Sequence, residues 1–118
     1  MVFNDNRIII IKQIMRKTDS KIWEAVVKHL NKSHEINIGK LSKVTNKNDI
    51  VAMPGKVLGT GVIDHPITIG ATAFSENAHK KIINAGGKIM FIEQLVENNP
   101  EGKGVRLLIG WYQFSYRD

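Results

Sequence analysis

Three glycine-lysine pairs, Gly55-Lys56, Gly87-Lys88 and Gly102-Lys103, could help cradle a phosphate. Glycine lets backbone amides approach an anion without a clashing Cβ, and lysine adds charge. The phosphate loop of nucleoside triphosphatases, however, needs two glycines separated by four residues, then Lys and Ser or Thr, so that amides, ammonium and metal-binding hydroxyl converge. The pairs here are followed by Val57, Ile89 and Gly104, so none qualifies. The dinucleotide fingerprint fails as well, because Gly59-Thr60-Gly61-Val62-Ile63-Asp64 ends in aspartate. Glycines 55, 59 and 61 with Lys56 still permit close approach by a bulky partner, although two β-turns without a ligand explain them too. Gly102-Lys103-Gly104 with Arg106 could hold a phosphate, but a mobile solvent loop is the simpler reading.

Catalytic chemistry finds little support. Four histidines, His29, His34, His65 and His79, have no spacing that specifies a metal site. Asp64-His65 suggests a base with an orienting carboxylate, yet adjacent residues rarely face each other and no nucleophile is fixed nearby. A turn role before Pro66 is simpler. The absence of cysteine excludes disulfides, thiolate catalysis and cysteine-ligated zinc, and it suits a reducing cytoplasm. The expectation is a chain with no catalytic residue, no metal, no cofactor and no small-molecule substrate.

Charge is more informative. The chain carries a net +6 with a pI near 9.7, so its surface attracts polyanions. Residues 1–60 hold eleven Lys and Arg against five Asp and Glu, while the remainder is balanced, so the first half carries the whole surplus. On a helix, Lys21, Lys28 and Lys32 project within about 40° of one another, and Lys40, Lys43 and Lys47 share a face in the same way. A solvated surface explains either row singly; two rows in one half, without the alternating signs of an ion-paired face, favour a polyanion partner. Arg7, Arg16, Lys56 and Arg106 complete the candidate set, the arginines because a planar guanidinium bridges phosphate oxygens. The apolar run Ile8 to Ile11 is flanked by Arg7 and Lys12 and falls far short of the roughly 20 residues a membrane span requires, so no membrane role is expected.

These cations must be positioned by an alternation of short helices and strands. Ile8, Ile11, Ile14 and Met15 gather on one side of a helix over 7–17, although four consecutive isoleucines could begin a strand instead. Asp19 or Ser20 can cap a second helix with an apolar arc of Ile22, Trp23, Val26, Val27 and Leu30. Ile36 to Ile38 is a short apolar alternation, and in the helical segment after Gly39, Leu41 and Val44 point inward. A strand over 49–54 is halted by Pro54, and Ile67 to Phe74 forms another. Ser75 caps a helix that ends at Gly86-Gly87; Lys88 to Phe91 is a strand, Ile92 to Asn98 a short helix, and Val105 to Ile109 a final strand. Beyond it lie Trp111, Tyr112, Phe114 and Tyr116, which could extend that strand, cover a core edge or insert into a partner. The fold class is α/β, a single compact domain of short strands and helices with an N-terminal helical pair. Its parts are the helices at 7–32, a core at 36–109 and a tail at 110–118.

Several separated motifs then align with one family. Pro54-Gly55-Lys56-Val57-Leu58-Gly59-Thr60-Gly61 with Asp64-His65, Phe74-Ser75-Glu76 leading to Ala85-Gly86-Gly87-Lys88, and Asn99-Pro100 through Gly104-Val105-Arg106 resemble archaeal ribosomal protein eighteen-e of the large subunit in order and spacing. The part from Lys56 to Gly87 is also similar to the C-terminal half of bacterial large-subunit protein fifteen. The resemblance spans roughly 7–109. It implies an α/β domain in the cytoplasmic ribosome that binds large-subunit ribosomal RNA beside neighbouring ribosomal proteins and catalyses nothing. A free-standing RNA-binding or regulatory protein of the same fold is the alternative, since fold does not fix function. The connection after the second helix tends to be arginine-rich in such proteins, whereas Asn31-Lys32-Ser33-His34 carries one lysine. Residues 110–118 run past the resemblance.

Overall fold

A computed structural model describes residues 5–30, 32, 34–109 and 112–115. The isoleucine run folds as helix, within α1 (Asp5–Thr18). Burial decides against β propensity: Ile11 is fully buried, and Ile8, Ile14 and Met15 pack around it. Ile9 and Ile10 stay 49% and 36% exposed on the other side. Asp19 adopts a left-handed φ of 53° and turns the chain into α2 (Lys21–His29). Ser20 occupies the cap position, but its hydroxyl makes no capping bond.

The remaining elements are β1 (Glu35–Asn37), α3 (Ile38–Val44), β2 (Ile50–Leu58), β3 (Thr68–Phe74), α4 (Glu76–Asn84), β4 (Lys88–Phe91), α5 (Ile92–Asn98), β5 (Val105–Ile109) and β6 (Tyr112–Ser115). The Asn37 side chain caps α3 by accepting from the Lys40 amide at 2.8 Å, and the Ser75 hydroxyl caps α4 by accepting from Ala78. Six strands form one sheet in the order β4-β3-β2-β5-β6, with β1 also on β2; every pairing is parallel except β5 with β6.

A parallel sheet needs both faces covered, and strand alternation supplies two apolar surfaces. Val51, Met53, Ile69 and Ala71 join Leu41, Ala78 and Ile82 beneath α3 and α4. Ala52, Val105 and Leu107 join Ile11, Trp23, Val26, Leu95 and Val96 beneath α1, α2 and α5. Gly70 lies where an added Cβ would come 2.6 Å from the Leu95 side chain, so its lack of a side chain lets α5 lie close on β3.

Several expectations are corrected. Pro54 does not halt its strand. β2 runs through it because proline's missing N–H falls where pairing is interrupted on both edges: on one, β5 pairs with 50–52 and β1 with 56–58, and on the other the β3 register shifts between Met53 and Lys56. The last strand is β6 rather than β5, so the tail extends the sheet, while Trp111, Tyr116 and the aromatic side chains of the tail lie outside the described residues. The segment 99–104 is a largely exposed loop, as expected, but it is anchored to α2. Trp23 Nε1 donates to the carbonyls of Asn99 and Pro100 at 2.9 and 3.1 Å, and Gly102, with φ +73°, is buried against α2.

Candidate nucleic-acid interface

The two lysine rows survive only in part. Lys21 and Lys28 lie on α2, whereas Lys32 lies past its end; Lys40 and Lys43 lie on α3, whereas Lys47 sits in the turn that follows. Each helix is shorter than the spacing assumed. The α2 row also includes an acid, since Glu24 and Lys28 pair at 3.8 Å. That exposed pair contributes little and leaves Lys28 accessible. Among the described residues, Arg16, Lys21, Lys32, Lys43, Lys47 and Lys56 have no ion-pair partner. All but the half-buried Lys56 are exposed. Lys12 and Lys17, outside the candidate set, are exposed beside Arg16 on the outer face of α1.

Arg7 and Arg106 are engaged inside the fold. Arg7 forms a two-pronged ion pair with Glu93 of α5, with Nη2 at 2.7 Å from Oε1 and Nε on Oε2, donates to the Thr72 carbonyl at 3.2 Å and lies over the Phe91 ring. It ties α1 to α5 and β3. Arg106 Nη1 meets Asp49 Oδ2 at 2.6 Å, joining β5 to the turn before β2. Both pairs are partly buried, so their guanidiniums already have the planar carboxylate partners for which arginine is suited.

The glycine segment is held by its own protein. Gly59 lies against Asn77 and Ala78, where a Cβ would come within 2.5 Å of the Asn77 side chain. Gly61, with φ +103°, presses on Gly39, whose amide donates to the Thr60 carbonyl at 2.9 Å. Lys81 then donates to the carbonyls of Gly59 and Gly61 at 2.6 Å each. Sequence reading missed Lys81; its signal is the α4 position one turn after Asn77, which faces the same segment. Gly55 lies within β2, not in a turn.

Asp64 and His65 do face each other, contrary to expectation: Asp64 Oδ1 meets Nδ1 at 2.9 Å, while Nε2 lies 2.8 Å from the Thr45 hydroxyl. This hydrogen bond holds the exposed Asp64 carboxyl below its usual range. The line resembles a relay, but Thr45 is buried and its hydroxyl donates to the Leu41 carbonyl at 2.7 Å. The arrangement braces the end of α3 against the approach to β3. No group of three or more metal-ligating side chains occurs among the described residues, and no described helix is long and apolar enough to cross a membrane.

His29 and His34 form the other notable pair, Nδ1 to Nε2 at 3.2 Å with ring centroids 5.2 Å apart. Burial, followed by the positive charge of Lys32, lowers both pKa values below the usual 6.5.

Fold and surface together define a small basic α/β protein whose exposed chemistry is displayed charge. The family model described as ribosomal protein 60S L18 and 50S L18e matches residues 6–114, and the chain belongs to that family. Its reach to 114 takes in β6, beyond the 7–109 resemblance. The large ribosomal subunit protein eL18 of Methanoregula boonei is 41% identical over 107 residues, covering 87% of this chain and 88% of the relative. Its namesake in Archaeoglobus fulgidus is 39% identical over 113 residues, covering 90% and 97%. That of Sulfolobus acidocaldarius is 41% identical over 100 residues, covering 80% and 85%. Such relatives are structural ribosomal proteins and not enzymes.

Proposed function

We propose that the chain, acting as one domain over 1–118, is a structural constituent of the large ribosomal subunit that binds folded large-subunit ribosomal RNA and contacts neighbouring ribosomal proteins. The observation that carries this reading is the set of cations Arg16, Lys21, Lys32, Lys43, Lys47 and Lys56, without an ion-pair partner among the described residues, in a family of ribosomal proteins. Lys28 and Lys40 belong to the same surface. Each ammonium that meets a phosphate releases condensed counterions, giving affinity that falls steeply with salt. Sequence-independent contacts of this kind fix position, and a rigid arrangement of them selects shape. Arg7 and Arg106 support the interface by holding α1 and β5 in place, and the Gly59–Gly61 segment presents backbone that Lys81 has set.

Sedimentation of native cell extract tests the reading. The protein should travel with large subunits at low salt and leave them at high salt. Migration as a free protein at low salt would overturn the assignment, and hydroxyl-radical footprinting on purified subunits would identify the RNA helices it shields.

A further inference from the structure

Between the end of α2 and the start of β1 lies a cavity of about 240 Å³, lined in part by Leu30, Lys32, His34, Gly55, Lys56 and Thr72. Its walls are fixed by backbone. Lys56 N donates to the His34 carbonyl at 3.0 Å, Glu35 pairs with Lys56 in the parallel β1–β2 ladder, and Gly55 lies so close that a Cβ would come 2.2 Å from the His34 oxygen. Lys32 and Lys56 both line it, without an ion-pair partner among the described residues. Thr72 also lines the cavity, and its buried hydroxyl has no hydrogen-bond partner among the described residues. His34 adds an imidazole backed by His29.

We propose that this cavity is a phosphate subsite that takes one phosphodiester of the bound RNA between Lys32, Lys56 and the His29–His34 pair. The proposal rests on the RNA-binding reading above. The lining chemistry favours an anion over a cation: among the described residues, two ammoniums and the His34 imidazole, with His29 behind it, face one carboxylate, Glu35, which is exposed. Lys28, beyond His29, adds positive charge and is offset by Glu24.

The histidine pair gives this subsite a distinctive signature. At 3.2 Å one ring must donate to the other, so a proton between Nδ1 of His29 and Nε2 of His34 can be shared but not duplicated. Burial, and after it charge from Lys32 and, at His29, from Lys28, discourages protonation of the pair. A phosphodiester there opposes the lysine field and pairs with an imidazolium, so binding draws in up to one proton, and affinity rises on acidification. A purely lysine-based surface binds without such uptake.

Calorimetric titration of the full chain with a transcript of its large-subunit ribosomal RNA, in buffers of different ionisation enthalpy, measures the uptake. Near pH 6.5 the protein should take up close to one proton per RNA bound, with affinity about tenfold higher at pH 5.5 than at 7.5. His29→Gln with His34→Gln should remove most of both effects, so that affinity at pH 5.5 falls to near its value at pH 7.5, and His65→Gln with His79→Gln should change neither. Lys56→Gln should weaken binding several-fold at every pH. Binding by the wild type without proton uptake, or uptake unchanged in the His29/His34 variant, overturns the subsite and leaves the RNA-binding reading standing. No wild-type binding at any pH overturns both.

Discussion

Gly102 shows how one residue closes a layer. Its φ of +73° suits glycine, and a Cβ would lie 2.1 Å from the Ile22 side chain, so Gly102→Ala combines backbone strain with a clash. We expect it to cost roughly 2–4 kcal/mol, measured as a lowered urea midpoint with unchanged slope. The His29–His34 pair makes a second prediction. Both side chains hold protons less readily when folded than in the unfolded chain, where the value returns to about 6.5. Their contribution is therefore fully present above pH 6.5 and lost as pH falls through the lower folded values. Urea midpoints of the RNA-free protein should fall across that window, and less steeply in His34→Gln. An equal fall in both proteins would refute the role of the pair. Neither feature is fully legible in the sequence. Gly102 reads as a loop glycine because Ile22 is eighty residues away, and the histidines look unrelated until β1 brings His34 back to α2.

At the scale of elements, the Gly59–Gly61 segment is fixed by helices on either side, and Lys81 is its main clasp. Lys81→Met removes a cation from two carbonyls and should cost about 1.5–3 kcal/mol. Hydrogen exchange offers a local check. The Gly39 amide, bonded to Thr60, should exchange faster in this variant, whereas amides in the centre of β3 should change only with global stability. Local signals explain which elements were readable. Ser75, Gly86-Gly87 and the apolar positions Ala78 and Ile82 mark α4, and both β4 and α5 occur at the expected boundaries. Pro54 misled because its tolerance depends on where two neighbouring strands end. The lysine rows were extended too far because helical spacing says nothing of where α2 and α3 stop, and the pairing of Arg7 with Glu93 spans eighty-six residues, beyond any local signal.

For the whole molecule, the distribution of charge is the property most exposed to test. Neutralising Arg16, Lys21, Lys43 and Lys47 together to glutamine should lower RNA affinity and flatten its dependence on salt, the logarithmic slope falling by about one for each lost phosphate contact. Folding should remain intact, because these side chains make no ion pair among the described residues. An unchanged slope would place the interface elsewhere. Composition makes that surplus visible, but its placement requires the fold, which partly buries Arg7 and Arg106 in ion pairs. The partner exchange along β2 has a temporal consequence. Translation is vectorial, and residues 50–52, paired on one edge with 68–70, find their second mate only in 105–107, while Arg7 waits for Glu93. A nascent chain halted before Val105 carries every excess cation with its central seam unsealed, and such long-range closure slows folding and lengthens exposure to aggregation. Chaperone capture during synthesis, released once the C-terminal strands emerge, is the biogenesis such a topology calls for.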